Sequence, residues 1–370
     1  MAGLFSVNAI VSGCAPVVKT GPARQETSWL AYLGTQRHDA AAQEMLNPDP
    51  RPLWHIGVGR GVRGSPALGE SIIAVGSADR YLTLIDRSSG DVLWRTRLDG
   101  TVRSGPLLDA DRLYIATEAQ PEGRVYAVRL RDGKTLWKTR IGSVAAPLTF
   151  DGDALYAGTE EGVVFRLDPE HGNVTWHRAL HGAVRAGPVA TPQGLVVTTT
   201  TDTLFLLDRE TGIVHGHLPL PGAVLATPAT DGRRVYLATT NGTVIAVSLA
   251  PLSIQWDFPA GDAVYGAPAL VADTLYVLSR DGQLWIIPTE AVHNAMNVSL
   301  DIVATAGPTP IESGGGILVG SVSGEILLID RESGAIKWRT QIAGPIEEPP
   351  LVRDRQLVVV AGRGNIHTYR

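Results

Sequence analysis

The chain has 370 residues, a net charge of −5, 41 glycines, 24 prolines and one cysteine. One cysteine excludes a disulfide framework, and an acidic balance without any Lys/Arg-rich run argues against non-specific nucleic-acid binding. Since the sequence contains no long uninterrupted apolar stretch, no transmembrane helix is predicted.

The N-terminal residues end in Val11-Ser12-Gly13-Cys14, which matches a bacterial lipobox. A short apolar run precedes Cys14, but no Lys or Arg does, so the positive n-region of a signal peptide is missing. A trimmed start codon would explain this, and we predict lipidation of Cys14. The alternative is a lone free cysteine in a tail. We predict a signal remnant over residues 1–14 and a linker over 15–49, with a short helix near 39–46.

A small-residue-plus-proline step then recurs about every 40 residues, which indicates a repeat architecture. The eight prolines of the step are Pro66, Pro106, Pro147, Pro188, Pro228, Pro268, Pro308 and Pro350. Each unit contains short runs rich in Val, Leu, Ile and Tyr, separated by turn residues such as Asp132-Gly133. Such runs predict antiparallel strands joined by hairpins. Four strands at this period are typical of a β-propeller blade.

The last unit, which starts at Pro350, lacks a fourth strand, whereas a strand over 51–58 precedes the first unit. We therefore predict that residues 51–58 complete the last blade and close the ring, because closure removes open sheet edges. The fold class is all-β: an eight-bladed propeller of four-stranded antiparallel blades over 50–370. An open solenoid would leave two exposed edges.

A tryptophan recurs in the fourth strand of most units and is predicted to pack between neighbouring blades. Its positions are Trp54, Trp94, Trp137, Trp176, Trp256 and Trp338. Gly216 and Met296 occupy the same position in the other two blades, where looser packing is expected.

Arginine occupies the third position before the step proline in three blades, as Arg63, Arg103 and Arg185. The corresponding residues of the other blades are Val144, Leu225, Tyr265, Thr305 and Glu347. In a closed propeller these positions would surround one mouth of the central channel, where three arginines could bind an anion or an acidic segment of a partner. Alternatively, they point outward or pair with Glu347 and Glu348.

The sequence contains no phosphate-binding loop, no zinc-protease motif and no nucleophile elbow. His215 and His217 would lie on one face of a strand, but no third metal ligand is evident. His177 and His181 are not expected to meet. We therefore predict no catalytic residue, no metal and no cofactor, and we predict that the protein is not an enzyme.

Three segments carry the repeat motif that ends in the tryptophan. They are YLTLIDRSSGDVLW (81–94), VVFRLDPEHGNVTW (163–176) and EILLIDRESGAIKW (325–338). The motif resembles the PQQ-type propeller repeat. With eight units and a lipobox, the chain is most similar to the BamB family of outer-membrane assembly lipoproteins, over residues 50–370 and Cys14.

That resemblance implies a non-catalytic scaffold that contacts the periplasmic domains of a BamA-like barrel assembly subunit. The family uses a Leu-x-Leu-Arg element and an acidic loop in the following blade. The matching residues here are Leu218 and Leu220, with Pro221 in place of the arginine, and Asp262 as the only acid of the following loop. The resemblance also implies a lipid-anchored location at the periplasmic face of the outer membrane of a Gram-negative bacterium, and a monomer within a larger complex.

Two other functions remain open. The same repeat builds quinoprotein alcohol dehydrogenases, but those enzymes resemble larger chains with a calcium site and a disulfide of adjacent cysteines. A periplasmic sensory, ligand-binding or polysaccharide-binding propeller is the second alternative. An exposed sheet edge could also pair with a strand of a partner.

Overall fold

The protein forms a closed ring of eight four-stranded antiparallel sheets, here called blades 1 to 8 in chain order. The computed structural model describes residues 42, 46–362 and 364–370. The ring confirms the predicted fold class. The predicted lipid acceptor Cys14 and the signal remnant 1–14 lie outside the described residues, as does most of the linker.

The first half of the ring follows an isolated first strand. This is β1 (Pro52–Gly57), which belongs to blade 8. Blade 1 contains β2 (Ala67–Leu68), β3 (Ile72–Gly76), β4 (Tyr81–Asp86) and β5 (Val92–Arg97). Blade 2 contains β6 (Leu107–Asp109), β7 (Arg112–Ala116), β8 (Arg124–Arg129) and β9 (Thr135–Arg140). Blade 3 contains β10 (Thr149–Phe150), β11 (Leu155–Gly158), β12 (Val163–Leu167) and β13 (Val174–Ala179). Blade 4 contains β14 (Val189–Thr191), β15 (Gly194–Thr199), β16 (Thr203–Leu207) and β17 (Val214–Pro219).

The second half repeats the same order. Blade 5 contains β18 (Ala229–Thr230), β19 (Arg234–Ala238), β20 (Thr243–Leu249) and β21 (Leu252–Pro259). Blade 6 contains β22 (Ala269–Val271), β23 (Thr274–Leu278), β24 (Gln283–Pro288) and β25 (Met296–Ser299), with a 3-10 turn at Val292–Asn294. Blade 7 contains β26 (Thr309–Ile311), β27 (Gly316–Gly320), β28 (Glu325–Asp330) and β29 (Ile336–Gln341). Blade 8 contains β30 (Leu351–Arg353), β31 (Gln356–Ala361) and β32 (Asn365–Tyr369), completed by β1.

Burial differs systematically between the strands of a blade. The second strand lies between two neighbouring blades, so every residue of β3 is buried. The fourth strand forms the outer edge, and β5 alternates between exposed and half-buried residues. This difference explains why the second strands are continuous apolar runs, whereas the outer strands mix polar and apolar residues. No helix in the described part of the chain is long and apolar enough to cross a membrane.

The ring is closed by β1, as predicted. It pairs antiparallel with β32, placing Trp54 opposite Thr368 and His55 opposite His367. Arg51 and Arg370 exchange two backbone hydrogen bonds of 2.9 Å just beyond the strands. The alternative of an open solenoid is therefore wrong, because both chain ends contribute strands to one sheet.

A segment preceding β1 reaches the inner strand of blade 7. The N–H of Ala42 donates to the carbonyl of Pro310 over 2.9 Å, and the N–H of Glu312 donates to the carbonyl of Ala42 over 2.8 Å. Ala42 is 1% exposed and Leu46 is 4% exposed. These contacts extend the closure beyond β1. Of the predicted helix over 39–46, only Ala42 and Leu46 are among the described residues, and Ala42 forms a parallel bridge with Ile311.

The outer tryptophans join neighbouring blades. In five cases the indole Nε1–H donates to a backbone carbonyl of the following blade. The pairs are Trp54–Arg87 (3.1 Å), Trp94–Leu130 (2.7 Å), Trp137–Pro169 (3.0 Å), Trp176–Arg209 (2.9 Å) and Trp256–Thr289 (3.1 Å). Trp338 instead packs edge-on against Tyr369 at 5.6 Å between ring centroids. The prediction that the tryptophans pack between blades is confirmed.

Blade 4 compensates for its missing tryptophan. A Cβ placed on Gly216 would lie 3.1 Å from Cδ2 of Leu252, which belongs to the outer strand of blade 5. The expected looser packing at Gly216 is therefore wrong, because Leu252 occupies the space of the absent indole. Met296, at the same position of blade 6, is 50% exposed.

Candidate functional site

The loops that precede the innermost strands meet around the ring axis and enclose a cavity of about 190 Å³. All eight blades contribute lining residues, and these include Arg103, Arg185, Leu225, Tyr265 and Glu347. We call this cavity the channel mouth. The predicted positions thus come together at one end of the channel, although Arg63 is exposed and is not among the lining residues.

Blade 3 departs from the predicted alignment by one residue. Val144 is fully buried, and its N–H donates to the carbonyl of Thr117. Val184, which precedes Arg185, makes the same contact with Thr159. The loop of blade 3 is one residue shorter, so Ala145 rather than Val144 lines the channel mouth.

The two arginines of the channel mouth are already paired with acids. Nε of Arg103 lies 2.5 Å from Oε2 of Glu118. Arg185 donates from Nε and Nη2 to the carboxylate of Glu160 over 3.1–3.2 Å. Each acid lies on a turn between the second and third strands of a blade. The arginines therefore pair neither with Glu347 nor with Glu348, and each has a carboxylate beside it that balances its charge.

Glu348 departs from the repeat, and it is not a partner of the arginines. The other seven blades place a small residue at the second position before the step proline, namely Gly64, Ser104, Ala145, Ala186, Ala226, Gly266 and Ala306. The larger side chain of Glu348 lines the channel mouth and accepts a hydrogen bond from the N–H of Gly64 over 2.8 Å. Comparing the eight steps position by position would have revealed this residue.

The pKa of Glu348 is raised to about 7. Burial is the largest cause, the bond from Gly64 opposes it, and the charge of Glu347 adds to the rise. Glu347 itself is exposed and has no ion-pair or hydrogen-bond partner within residues 46–362 and 364–370. Glu347 and Arg63 thus both carry charges without an ion-pair partner in the described part of the chain.

The residues matched to the family's contact element differ in exposure. Leu220 is only 7% exposed and Leu218 is half-buried, and both pack in the core between blades 4 and 5. Leu220 therefore does not present its side chain to a partner. Asp262 is exposed on the next inter-blade loop, together with Tyr265, which is 41% exposed.

The histidine pairs do not form a metal site. His215 and His217 are exposed on β17, where His217 lies beside the ring of Phe205. Within the described residues, no group of three or more His, Cys, Asp or Glu side chains could hold a metal ion.

One family model, described as "Outer membrane protein assembly factor BamB", matches residues 44–184, 121–215, 160–291 and 283–370. These segments together cover the whole ring. The chain belongs to the BamB family.

Curated BamB proteins are similar over parts of the chain. The protein from Nitrosomonas eutropha is 28% identical over 35% of this chain and 32% of its own length. The protein from Yersinia pestis is 23% identical over 40% of this chain and 41% of its own length. The alignments thus span less than half of these relatives. A tetrathionate hydrolase from Acidithiobacillus ferrooxidans is 25% identical over 32% of this chain and 24% of its own length.

Solved structures share the fold at low identity. BamB from Moraxella catarrhalis has a TM-score of 0.71 at 17% identity, covering 87% of this chain and 99% of its own. A quinohemoprotein alcohol dehydrogenase from Pseudomonas putida HK5 has a TM-score of 0.76 at 11% identity, covering 93% of this chain and 80% of its own. These likenesses concern the fold alone, because one architecture hosts both assembly factors and enzymes.

Proposed function

We propose that this BamB-family protein is a non-catalytic scaffold of the outer-membrane β-barrel assembly machinery. Its partner would be the periplasmic domains of a BamA-like subunit, bound by a monomer within the larger complex. The observation that carries the proposal is the family match, which extends from residue 44 to residue 370 and so includes every blade. The match consists of four overlapping segments, and together they span all eight blades.

The contact would lie on the channel-mouth face, at the loops of blades 5 to 7. Tyr265 and Val303 are 41% and 46% exposed there. Leu225 is half-buried beside them, and Asp262 provides a charge on the same loop as Tyr265. We call these four residues the docking surface. An exposed tyrosine with neighbouring apolar residues is the composition that interface hot spots favour. We propose the docking surface as the partner contact in place of Leu220, because the side chain of Leu220 is buried.

The location follows from the same proposal. Lipidation of Cys14 would anchor the ring to the periplasmic face of the outer membrane, with residues 15–49 as the linker. Mass spectrometry of the mature N-terminus tests this part separately. A diacylglyceryl group on Cys14 supports the anchor, and an unmodified Cys14 contradicts it.

The scaffold role is tested by affinity purification from detergent-solubilised membranes. We expect the wild-type protein to co-purify a barrel assembly subunit, and the double variant Asp262→Ala/Tyr265→Ala to lose most of it. Ile336→Ala is the matched control, because Ile336 is 42% exposed on an outer strand away from the mouth. Wild-type protein that brings down no barrel assembly subunit would contradict the proposal, as would a purified sample with quinone-dependent dehydrogenase activity.

A further inference from the structure

Four exposed arginines without partners lie at one corner of blade 1. They come from the loop before β2, the turn between β3 and β4, and the end of β5, and they are Arg60, Arg63, Arg80 and Arg97. None of them forms an ion pair or a side-chain hydrogen bond within residues 46–362 and 364–370. We call these four residues the basic corner.

Backbone hydrogen bonds hold the three segments of the basic corner together. The N–H of Ala78, in the turn, donates to the carbonyl of Gly61 over 2.9 Å. The N–H of Leu98, which follows Arg97, donates to the carbonyl of Arg80 over 2.8 Å. The four side chains therefore extend from backbone that is fixed in one place on the ring.

The acids near the basic corner do not neutralise it. Asp79 pairs with Arg95 over 3.3 Å, and Asp99 pairs with two cations of blade 2 over 3.0–3.2 Å. Glu347, on the adjoining loop of blade 8, is free but forms no ion pair with any of the four arginines in the described part of the chain. The basic corner thus carries an excess of positive charge in a chain whose net charge is −5.

The backbone of Arg80 provides a second, independent observation. Its φ is +71°, which lies in the left-handed region that disfavours any residue with a side chain. Four other blades place a glycine with positive φ at the same position of this turn, namely Gly162, Gly242, Gly282 and Gly324. Blade 1 therefore keeps an arginine where glycine would fold more easily, which indicates a use for its charge.

Chemistry and position together select the occupant. The fork of a guanidinium group matches a carboxylate, with which it forms paired hydrogen bonds. The basic corner includes the loop that leads to the channel mouth, so it lies on the same face as the docking surface, across the ring from blade 5. The segment around Ala42 lies at the other end of the channel, beside the last residues of β26. A protein that covers the channel-mouth face can therefore reach both surfaces.

We propose that the basic corner binds an acidic segment of a partner protein, rich in aspartate or glutamate. Its carboxylates pair with the guanidinium groups that have no partner within the ring. The docking surface and the basic corner then contact the partner at opposite sides of the channel mouth. This inference deepens the scaffold function and rests on it for the identity of the partner alone.

The test uses the purified full chain and three fluorescently labelled decapeptides with blocked ends. Glycine and serine separate four copies of glutamate, glutamine or lysine in the three peptides. Fluorescence anisotropy at low salt gives the affinities. We expect the glutamate peptide to bind at least about fivefold more tightly than the glutamine peptide, and the lysine peptide to bind most weakly. The advantage of the glutamate peptide should shrink at about 0.3 M salt.

Arg60→Gln/Arg97→Gln is the decisive variant. We expect it to reduce glutamate-peptide affinity by about fivefold or more while leaving the glutamine peptide unaffected. Arg233→Gln/Arg355→Gln changes the net charge equally at exposed hairpins on the opposite face of the ring, so it should change the affinity less than about twofold. A thermal unfolding curve for each variant confirms the folded state.

Arg80→Gly separates binding from folding. Glycine removes the charge and adopts the positive φ without strain. We therefore expect glutamate-peptide affinity to fall by about twofold or more, with a thermal midpoint equal to or above that of the wild type. Unchanged affinity together with a lower midpoint would show that Arg80 serves the fold alone.

Three further results would overturn the proposal. They are equal binding of the glutamate and glutamine peptides, equal losses in Arg60→Gln/Arg97→Gln and its control, and binding of phosphatidylglycerol vesicles in place of the glutamate peptide. The last, if lost in Arg60→Gln/Arg97→Gln, would make the basic corner a membrane site. Because purified protein and synthetic ligands are used, these results do not depend on whether a barrel assembly subunit co-purifies from membranes.

Discussion

Glu348 of blade 8 accepts a hydrogen bond from the backbone N–H of Gly64 in blade 1 over 2.8 Å, which joins the last blade to the first at the channel mouth. This junction has further links. Nε2 of Gln356 donates to the carbonyl of Arg87 over 3.0 Å, and the side chains of Arg87 and Asp354 form an ion pair. The closure therefore depends on side chains as well as on the strand pairing of β1.

Glu348→Gln is expected to stabilise the ring at alkaline pH. The folded-state pKa of about 7 lies above the ordinary value of 4.5, so ionisation of Glu348 opposes folding. That penalty is absent below pH 4.5, grows between the two values and is complete above pH 7. It amounts to at most about 3 kcal/mol. Glutamine keeps the acceptor for Gly64 and removes the charge.

Denaturant unfolding at pH 8 and pH 5 measures this difference. We expect a higher midpoint for Glu348→Gln at pH 8 and a much smaller difference at pH 5. Glu332→Gln changes an exposed turn, so its denaturant midpoint should equal that of the wild type at both pH 8 and pH 5. Equal effects of Glu348→Gln at the two pH values would show that ionisation of Glu348 does not oppose folding.

Trp176→Phe should destabilise the protein more than Trp338→Phe does. Both remove a similar ring area, but only Trp176 donates from Nε1 to a carbonyl, that of Arg209. Trp338 packs on Tyr369, and its indole has no hydrogen bond within the described residues. We expect a difference of about 1 kcal/mol in the free energy of unfolding. The opposite ranking would show that packing alone, without the hydrogen bond, determines the contribution at these positions.

Gly216→Trp should destabilise the ring although it restores the residue typical of the repeat. Leu252 already occupies the space, and even a Cβ would lie 3.1 Å from its Cδ2. Overpacking of this kind costs about 1–3 kcal/mol. The double variant Gly216→Trp/Leu252→Ala provides room for the indole and should recover part of the loss. A gain in thermal stability from Gly216→Trp alone would contradict this account.

Ala42→Asp tests the contribution of the segment before β1. Ala42 is 1% exposed and bridges the inner strand of blade 7, so a carboxylate there would be buried without a partner. We expect a loss of about 2 kcal/mol or more in the free energy of unfolding. Ala335→Asp places the same side chain at an exposed turn and should have little effect. Equal midpoints for the two variants would mean that the segment adds nothing to closure.

Much of the fold could be predicted from the sequence because its signals are local. The step prolines and the Asp-Gly turns predict the number of blades. The strand over 51–58, which belongs to no unit of its own, predicts how the ring closes. The tryptophan positions predict packing between blades, although not the hydrogen bonds to carbonyls. The compensation at Gly216 was missed because Leu252 lies in another blade and outside the repeat position.

The channel mouth was predicted less completely. The sequence placed Arg103 and Arg185 at the mouth, and the structure brings them there. It could not show that Glu118 and Glu160 hold them, because the partners lie on separate turns. The sequence also predicted Val144 at the mouth, whereas Ala145 lines it. The prediction counted three residues back from each step proline, but the loop of blade 3 is one residue shorter than the others.

The sequence by itself therefore determined the architecture: eight blades, their strand order and the closing strand, because each depends on the periodicity of apolar and turn residues along the chain. Only the tertiary structure decided the electrostatic character of the channel mouth. Charges there are paired or left unpaired according to the side-chain distances that the folded loops set, and Coulomb interactions depend on those distances and on burial rather than on sequence separation.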